Sequence, residues 1–214
     1  NMRSNILFFF LLLFGHSLAT AQPFFKSYVS KTMGLDVIQT PDGGYVMAGV
    51  IFADTVTYQR SAFIARTDAD GDLIWVDSLG NASANAVCLT TNNTLVWVSE
   101  TYQSGGNTFS KAVGLQADGT VLWETEFAMQ ITNQDHQFTD IAATSDGGVL
   151  LFGSGTPTGS DLQFRLVKLN TAGDVVWETY LGDPGNNERS RDIVVLPSGD
   201  LMLSGDNVAV SSPI

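Results

Sequence analysis

DVIQTPDGGYVMAGV, Asp36 to Val50, continues after a variable loop as AFIARTDADGDLIWVDSLG, Ala62 to Gly80, and this unit recurs along the chain. It returns as AVCLTTNNTLVWVSE with SKAVGLQADGTVLWETEFA (Ala86 to Ala128), and as DIAATSDGGVLLFGS with FRLVKLNTAGDVVWETYLG (Asp140 to Gly182). A further copy opens at Asp192 with DIVVLPSGDLMLSGD and is incomplete at residue 214. Tyr45, Leu95, Val149 and Leu201 are equivalent, so the spacings are 50, 54 and 52 residues. A fixed period of this size signals an array of one supersecondary unit.

Each unit divides into four short apolar runs separated by turn residues. The first tight turn is Asp42-Gly43-Gly44, Asn92-Asn93, Asp146-Gly147-Gly148 or Ser198-Gly199, all residues that tolerate positive φ. The second is Asp70-Gly71, Asp118-Gly119 or Ala172-Gly173, and four residues after its glycine stands Trp75, Trp123 or Trp177. Four antiparallel strands repeating every ~50 residues predict an all-β chain of β-propeller blades. About 3.5 blades are expected, near 36–80, 86–128, 140–182 and a partial one at 192–214. A closed ring takes four to eight blades, so the expected object is a fragment of a larger ring, completed by blades or domains C-terminal to it. Phe25-Lys26-Ser27-Tyr28 matches the fourth-strand run Trp177-Glu178-Thr179-Tyr180 but precedes any first strand. Residues 24–29 are therefore expected to close the ring as the outer strand of its last blade.

Residues 1–21 read as a signal peptide: Arg3, the apolar run Ile6 to Phe14, and Ala19-Thr20-Ala21 before Gln22. Nine apolar residues are too few to span a bilayer, which takes roughly 20. Export to the medium or the cell surface is expected, without membrane insertion. The remaining chain carries nine basic against 22 acidic residues, a net charge of −13. Such a surface disfavours nucleic acid and offers carboxylates to cations. One cysteine makes no internal disulfide, so strand pairing and core burial must hold the fold.

The DGG-Y-V-x-A-G strand, the D-x-x-G turn and the tryptophan ending resemble the delta-60 and PQQ-like propeller repeats of secreted bacterial proteins. The resemblance covers Asp36 to about Gly205. It implies an extracellular propeller, often part of cargo of the type nine secretion route, and it says little about function. The Gly-His and Trp-Asp pairs of WD40 repeats are absent. The aromatic also stands four residues after the glycine, not three as in the sialidase Asp-box.

Candidate chemistry is sparse. Cys88 takes the place of Ile38, Ala142 and Val194 and reads as a small core residue rather than a nucleophile. Trp97 takes the place of Met47 and Leu151, again a core position, and the recurrent tryptophans read as packing between blades. Asp68, Asp70 and Asp72 begin like a calcium loop, but Leu79 stands where an EF-hand needs glutamate. They read as hairpin residues that are also the candidate calcium ligands; no other cofactor is indicated. Asp183 to Glu188 forms a second oxygen-rich stretch.

In a four-stranded meander the 1–2 and 3–4 turns lie on one face, and the 2–3 and 4–1 connections on the other. The tight turns are all of the first kind and the long variable segments all of the second. Any binding is expected on that long-loop face, with Tyr58, Arg60, Tyr102, Asn107, Asp135, His136, Asn187 and Arg189 as candidates. The expected function is a non-catalytic binding or scaffold module for a protein, peptide or glycan. The alternative is an enzyme domain, a glycan hydrolase or lyase or a PQQ-like oxidoreductase, with its site on the same face.

Overall fold

The computed structural model describes residues 31–52, 60–102, 108–128, 137–157, 161–183 and 185–209. Three four-stranded antiparallel meanders follow one another. The first is β1 (Thr32–Gln39), β2 (Tyr45–Phe52), β3 (Arg60–Thr67) and β4 (Leu73–Gly80). The second is β5 (Ala82–Leu89), β6 (Leu95–Tyr102), β7 (Thr108–Leu115) and β8 (Val121–Ala128). The third is β9 (Phe138–Ala143), β10 (Val149–Gly155), β11 (Gln163–Leu169) and β12 (Val175–Leu181), and a two-stranded sheet follows of β13 (Asn186–Val195) and β14 (Leu201–Ala209). These are three propeller blades and the inner half of a fourth. Tyr45, Leu95, Val149 and Leu201 each open the second strand of their blade, as the repeat alignment requires.

The core lies between blades. Strand alternation sends Leu95 and Trp97 of β6 toward blade 1, where they meet Val46, Ala48, Ala62 and Ile64. Val96 and Val98 point the other way, onto Ile141, Val149, Leu151 and Val167 of blade 3. Both faces of the sheet are buried, so β6 begins with the unbroken apolar run LVWV. Leu150, Phe152 and Leu166 of blade 3 in turn receive Ile193 of blade 4. Cys88 is buried in the second of these seams, and burial, with Asp140 and Asp36 nearby, drives its thiol pKa far up. It is a core residue held as the thiol.

Each first strand carries a β-bulge just before the aspartate position: between Gly34 and Asp36, Ala84 and Ala86, and Ser190 and Ile193, with the matching shift in blade 3 opposite Phe152 and Gly153. The bulge brings the first strand onto the second so closely that a Cβ on Gly49, Gly153 or Gly205 would lie 2.2–2.4 Å from a carbonyl oxygen of Met33, Gln137 or Arg189. This contact is why the second strand of the repeat carries a glycine. In blade 2 Ser99 stands there, its hydroxyl buried and unpaired.

The bulge also frees an amide, and the first-strand aspartate takes it up. Asp36 accepts from Val37 N at 2.7 Å and, across the seam, from Val87 N at 2.8 Å. Asp140 repeats the pattern with Ile141 N and Ile193 N, both at 2.8 Å. Blade 2 has Ala86 at this place, and its link to blade 3 runs from Asn85 Nδ2 to the Phe138 carbonyl at 2.9 Å.

The recurrent tryptophans join blades at the outer rim. Trp75 lies on Gly119 of the next blade and donates from Nε1 to the Ala117 carbonyl at 3.0 Å. Trp123 lies on Gly173. Trp177 has no following hairpin among the described residues and is 41% exposed.

In blades 1 and 3 the first tight turn is pinned from the third strand. Lys168, nearly buried, donates from Nζ to Asp146 Oδ1 and Thr144 Oγ1, both at 2.9 Å, while Thr144 Oγ1 in turn donates to Asp146. Arg66 holds Asp42 in the same manner. The Thr144 hydroxyl, Lys168 and Gly148 N together hold the Asp146 carboxyl well below the usual carboxylate range. A depressed folded-state pKa contributes stability that is present above the unfolded value of 3.8 and is lost as pH falls below it. Asp146→Asn should therefore flatten the acid limb of a urea-denaturation series between pH 4 and about 2. An unchanged acid limb would exclude this carboxylate as its source.

Candidate functional site

Of the long-loop candidates, Tyr58, Asn107, Asp135 and His136 lie outside the described residues. Arg60 opens β3, Tyr102 ends β6, and Asn187 and Arg189 lie within β13. These four are thus strand residues rather than loop residues. Beyond its bulge the first strand runs on outward against the second, and Asn187 pairs with Val208 and Arg189 with Asp206. The polar run NNERSR has no apolar alternation to mark it as a strand. Asn187 and Arg189 share one side of β13, and Arg189 is exposed.

Between them Glu188 points inward and is 2% exposed. Its amide donates to the Leu162 carbonyl at 2.8 Å, and Leu162 N donates to Asn187 Oδ1 at 2.8 Å, which ties β13 to the start of β11. Glu188 Oε1 accepts from Asp183 N at 3.1 Å. Oε2 is buried beside Gly182 and has no hydrogen-bond partner. Asp161 Oδ2 accepts from Gly185 N at 2.9 Å. Below this point the seam holds a chain of hydroxyls, the half-buried Thr139 and the buried Ser190 and Ser154: Thr139 Oγ1 lies 2.9 Å from Ser190 Oγ, and Ser190 Oγ 3.1 Å from Ser154 Oγ. The structure thus builds a polar seam between blades 3 and 4. The oxygen-rich stretch 183–188 was visible in sequence; Asp161, Ser154, Ser190 and Thr139 carried no signal, because their pairing is spatial.

A second charged cluster flanks the connection from β8 to β9. The Arg165 guanidinium stacks over the rings of Phe127 and Phe138, 5.6 and 5.0 Å from their centroids. Its Nε donates to Glu178 Oε1 at 2.9 Å. Tyr180 donates to the same oxygen at 2.7 Å; burial, then that bond, pushes its phenol up to about 12. Arg165 has its carboxylate and its aromatic faces inside the fold, so its role is to hold the two phenylalanines together.

Asp68, Asp70 and Asp72 lie on the opposite, tight-turn face. Asp68 Oδ1 accepts from Asp70 N at 3.0 Å and Asp72 N at 2.7 Å. Asn170 Oδ1 makes the same two bonds in blade 3, to Ala172 N and Asp174 N, both at 2.9 Å. The position therefore works as a turn closure that an amide fills as well as a carboxylate. Among the described residues no three His, Cys, Asp or Glu side chains are grouped to hold a metal ion.

No family model and no curated protein matches the chain. Among solved structures it is similar to a protein of unknown function from Bacteroides caccae, with 15% identity and a TM-score of 0.55 over 82% of this chain and 54% of that one. A weaker likeness, 10% identity and a TM-score of 0.47, is to a eukaryotic initiation factor, over 73% of this chain and 35% of that one. The chain spans about half the length of the first structure. That first likeness concerns the fold: a run of four-stranded antiparallel blades.

Proposed function

We propose that this chain is an exported, non-catalytic propeller module that binds a protein, peptide or glycan through its long-loop face, at the cell surface or in a secreted complex. The observation that carries the reading is the division of labour between faces. On one, every connection is a short turn closed by its own hydrogen bonds, such as Gly43 N to the Thr40 carbonyl and Gly173 N to the Asn170 carbonyl. On the other, connections differ in length from blade to blade while the strands beneath them keep one register. Variable loops on a repeated scaffold are where binding surfaces are built. The leader-like residues 1–21 and the likeness to delta-60 and PQQ-like repeats support export, and further blades completing the ring belong to the same reading.

The test is a glycan and peptide array probed with the secreted polypeptide beginning at Gln22. Replacing residues 53–59 and 103–107 by two-residue turns should abolish any binding that is found. Asp70→Ala with Asp118→Ala, on the tight-turn face, should leave it intact. Binding that survives the loop replacements but not the turn substitutions would refute the assignment of faces.

A further inference from the structure

In three of the blades the second-strand glycine lies against a phenyl ring. A Cβ on Gly49 would lie 2.8 Å from Phe63, one on Gly153 2.9 Å from Phe138, and one on Gly205 2.5 Å from Phe164. The rings come from three different places: the third strand of the same blade, its first strand, and the third strand of the blade before. In blade 2, where Ser99 replaces the glycine, those places hold Lys111, Ala84 and Ala62. Lys111 turns to β8, donating from Nζ to Glu124 Oε2 at 2.9 Å, with Glu126 Oε1 at 3.3 Å. Ala84 and Ala62 are fully buried and offer one methyl each where the other blades have a ring.

Trp97 returns part of that volume, since Met47, Leu151 and Leu203 stand at its place in the other blades. It packs among Ala48, Ala62, Ala82 and Ala84, but its ring brings an N–H into the seam. Trp97 is 4% exposed and its Nε1 has no hydrogen-bond partner; Ser99 is 2% exposed and its Oγ has none either. The two residues are two apart on a strand whose register with β7 is unbroken, so both face blade 1. Polar groups buried this deeply are almost always bonded. A donor beside a hydroxyl, in a seam that has traded a phenyl ring for methyls, is a setting that holds an internal water.

We infer that a water molecule is bound between blades 1 and 2, accepting from Trp97 Nε1 and bonded to the Ser99 hydroxyl, where a phenyl ring lies in the other blades. It satisfies both orphaned groups at once and lets serine take a position that glycine holds elsewhere. The inference is independent of whether the long-loop face binds anything.

A high-resolution crystal structure of the secreted polypeptide beginning at Gln22 should show one ordered water about 2.7–3.2 Å from both Trp97 Nε1 and Ser99 Oγ. Thermal melting supplies an independent sign. A hydroxyl bonded to a water stabilises the fold, so Ser99→Ala should melt about 2–4 °C lower than the unaltered chain. A hydroxyl buried with no partner costs its desolvation, so its removal would leave the melting temperature the same or raise it. Either that result or a seam without ordered density beside Trp97 Nε1 would overturn the inference.

Discussion

Gly173→Ala should destabilise the protein by about 3 kcal/mol or more, while Gly199→Ala should cost only about 1 kcal/mol. The two glycines have nearly the same backbone, φ 83° and 89°, and occupy tight turns of the same kind. A Cβ at Gly199 meets nothing within 4 Å, so that substitution reports the left-handed conformation alone. A Cβ at Gly173 would lie 2.4 Å from the Trp123 ring, which is itself packed within its blade on Gly114. The indole cannot retreat, because a Cβ on Gly114 would already lie 2.3 Å from it on that side. The seam must open by an ångström or more, and overpacking of this kind costs about 1–3 kcal/mol beyond the backbone term. Urea denaturation of the two variants checks the difference. Equal losses would mean that the tryptophan contact does not hold blades 2 and 3 together.

The second large effect is expected at Asp140. Its two oxygens take up an amide on each side of a seam, Ile141 N and Ile193 N. Asp140→Ala should cost about 2–4 kcal/mol, since it leaves two partly buried N–H groups without their acceptor. Asp140→Asn keeps one acceptor and should cost less. The carboxyl also has a pH signature. Burial, and secondarily the charges of Asp192 and Asp36, raise its pKa above 3.8, despite the two amides that pull it down. A raised folded-state value means the native state holds the proton longer than the unfolded chain does. Stability from this group is then greatest below pH 3.8 and falls as pH rises through the folded value. That slope is opposite in sign to the one from Asp146. Relative to wild type, Asp140→Asn should remove a decline in stability just above pH 4, seen in urea midpoints taken at half-unit intervals. A parallel pair of curves would show that the carboxyl is not titrating against the fold.

How far the sequence could be read depended on whether a feature was local. The period, the strand starts at Tyr45, Leu95, Val149 and Leu201, and the left-handed Asn93 that replaces glycine all follow from turn chemistry and alternation. The packing role of Trp75 and Trp123 was legible from their fixed distance to a turn glycine. The outer continuation of the first strands was not. Asn186 to Ser190 pairs with β14 although it is polar throughout, because across the seam it meets the backbone amide and carbonyl of Leu162. Four of the eight residues named for the binding face are placed, and all four are strand residues. Glu188, between two of them, is the better-defined feature: a buried carboxylate whose second oxygen lacks a partner. Solvation cannot be read from a single chain position, since it depends on which blades meet there.

The bonds across the seams have a direction. Trp75 and Trp123 reach forward onto the following blade, and Asp36 and Asp140 likewise take an amide from the blade that comes after. No blade supplies both halves of its own attachment. A chain that emerges N-terminus first therefore meets anchors already in place on the blade before it: Trp75 and Asp36 for blade 2, Trp123 for blade 3 and Asp140 for blade 4. Growth in the order of synthesis adds each new blade to side chains already placed, whereas growth in the reverse order must bring the tryptophan and the aspartate to a blade that is already folded. Circular permutants cut at different blade boundaries would keep every contact and change only this order of arrival, so their refolding rates would read the polarity directly.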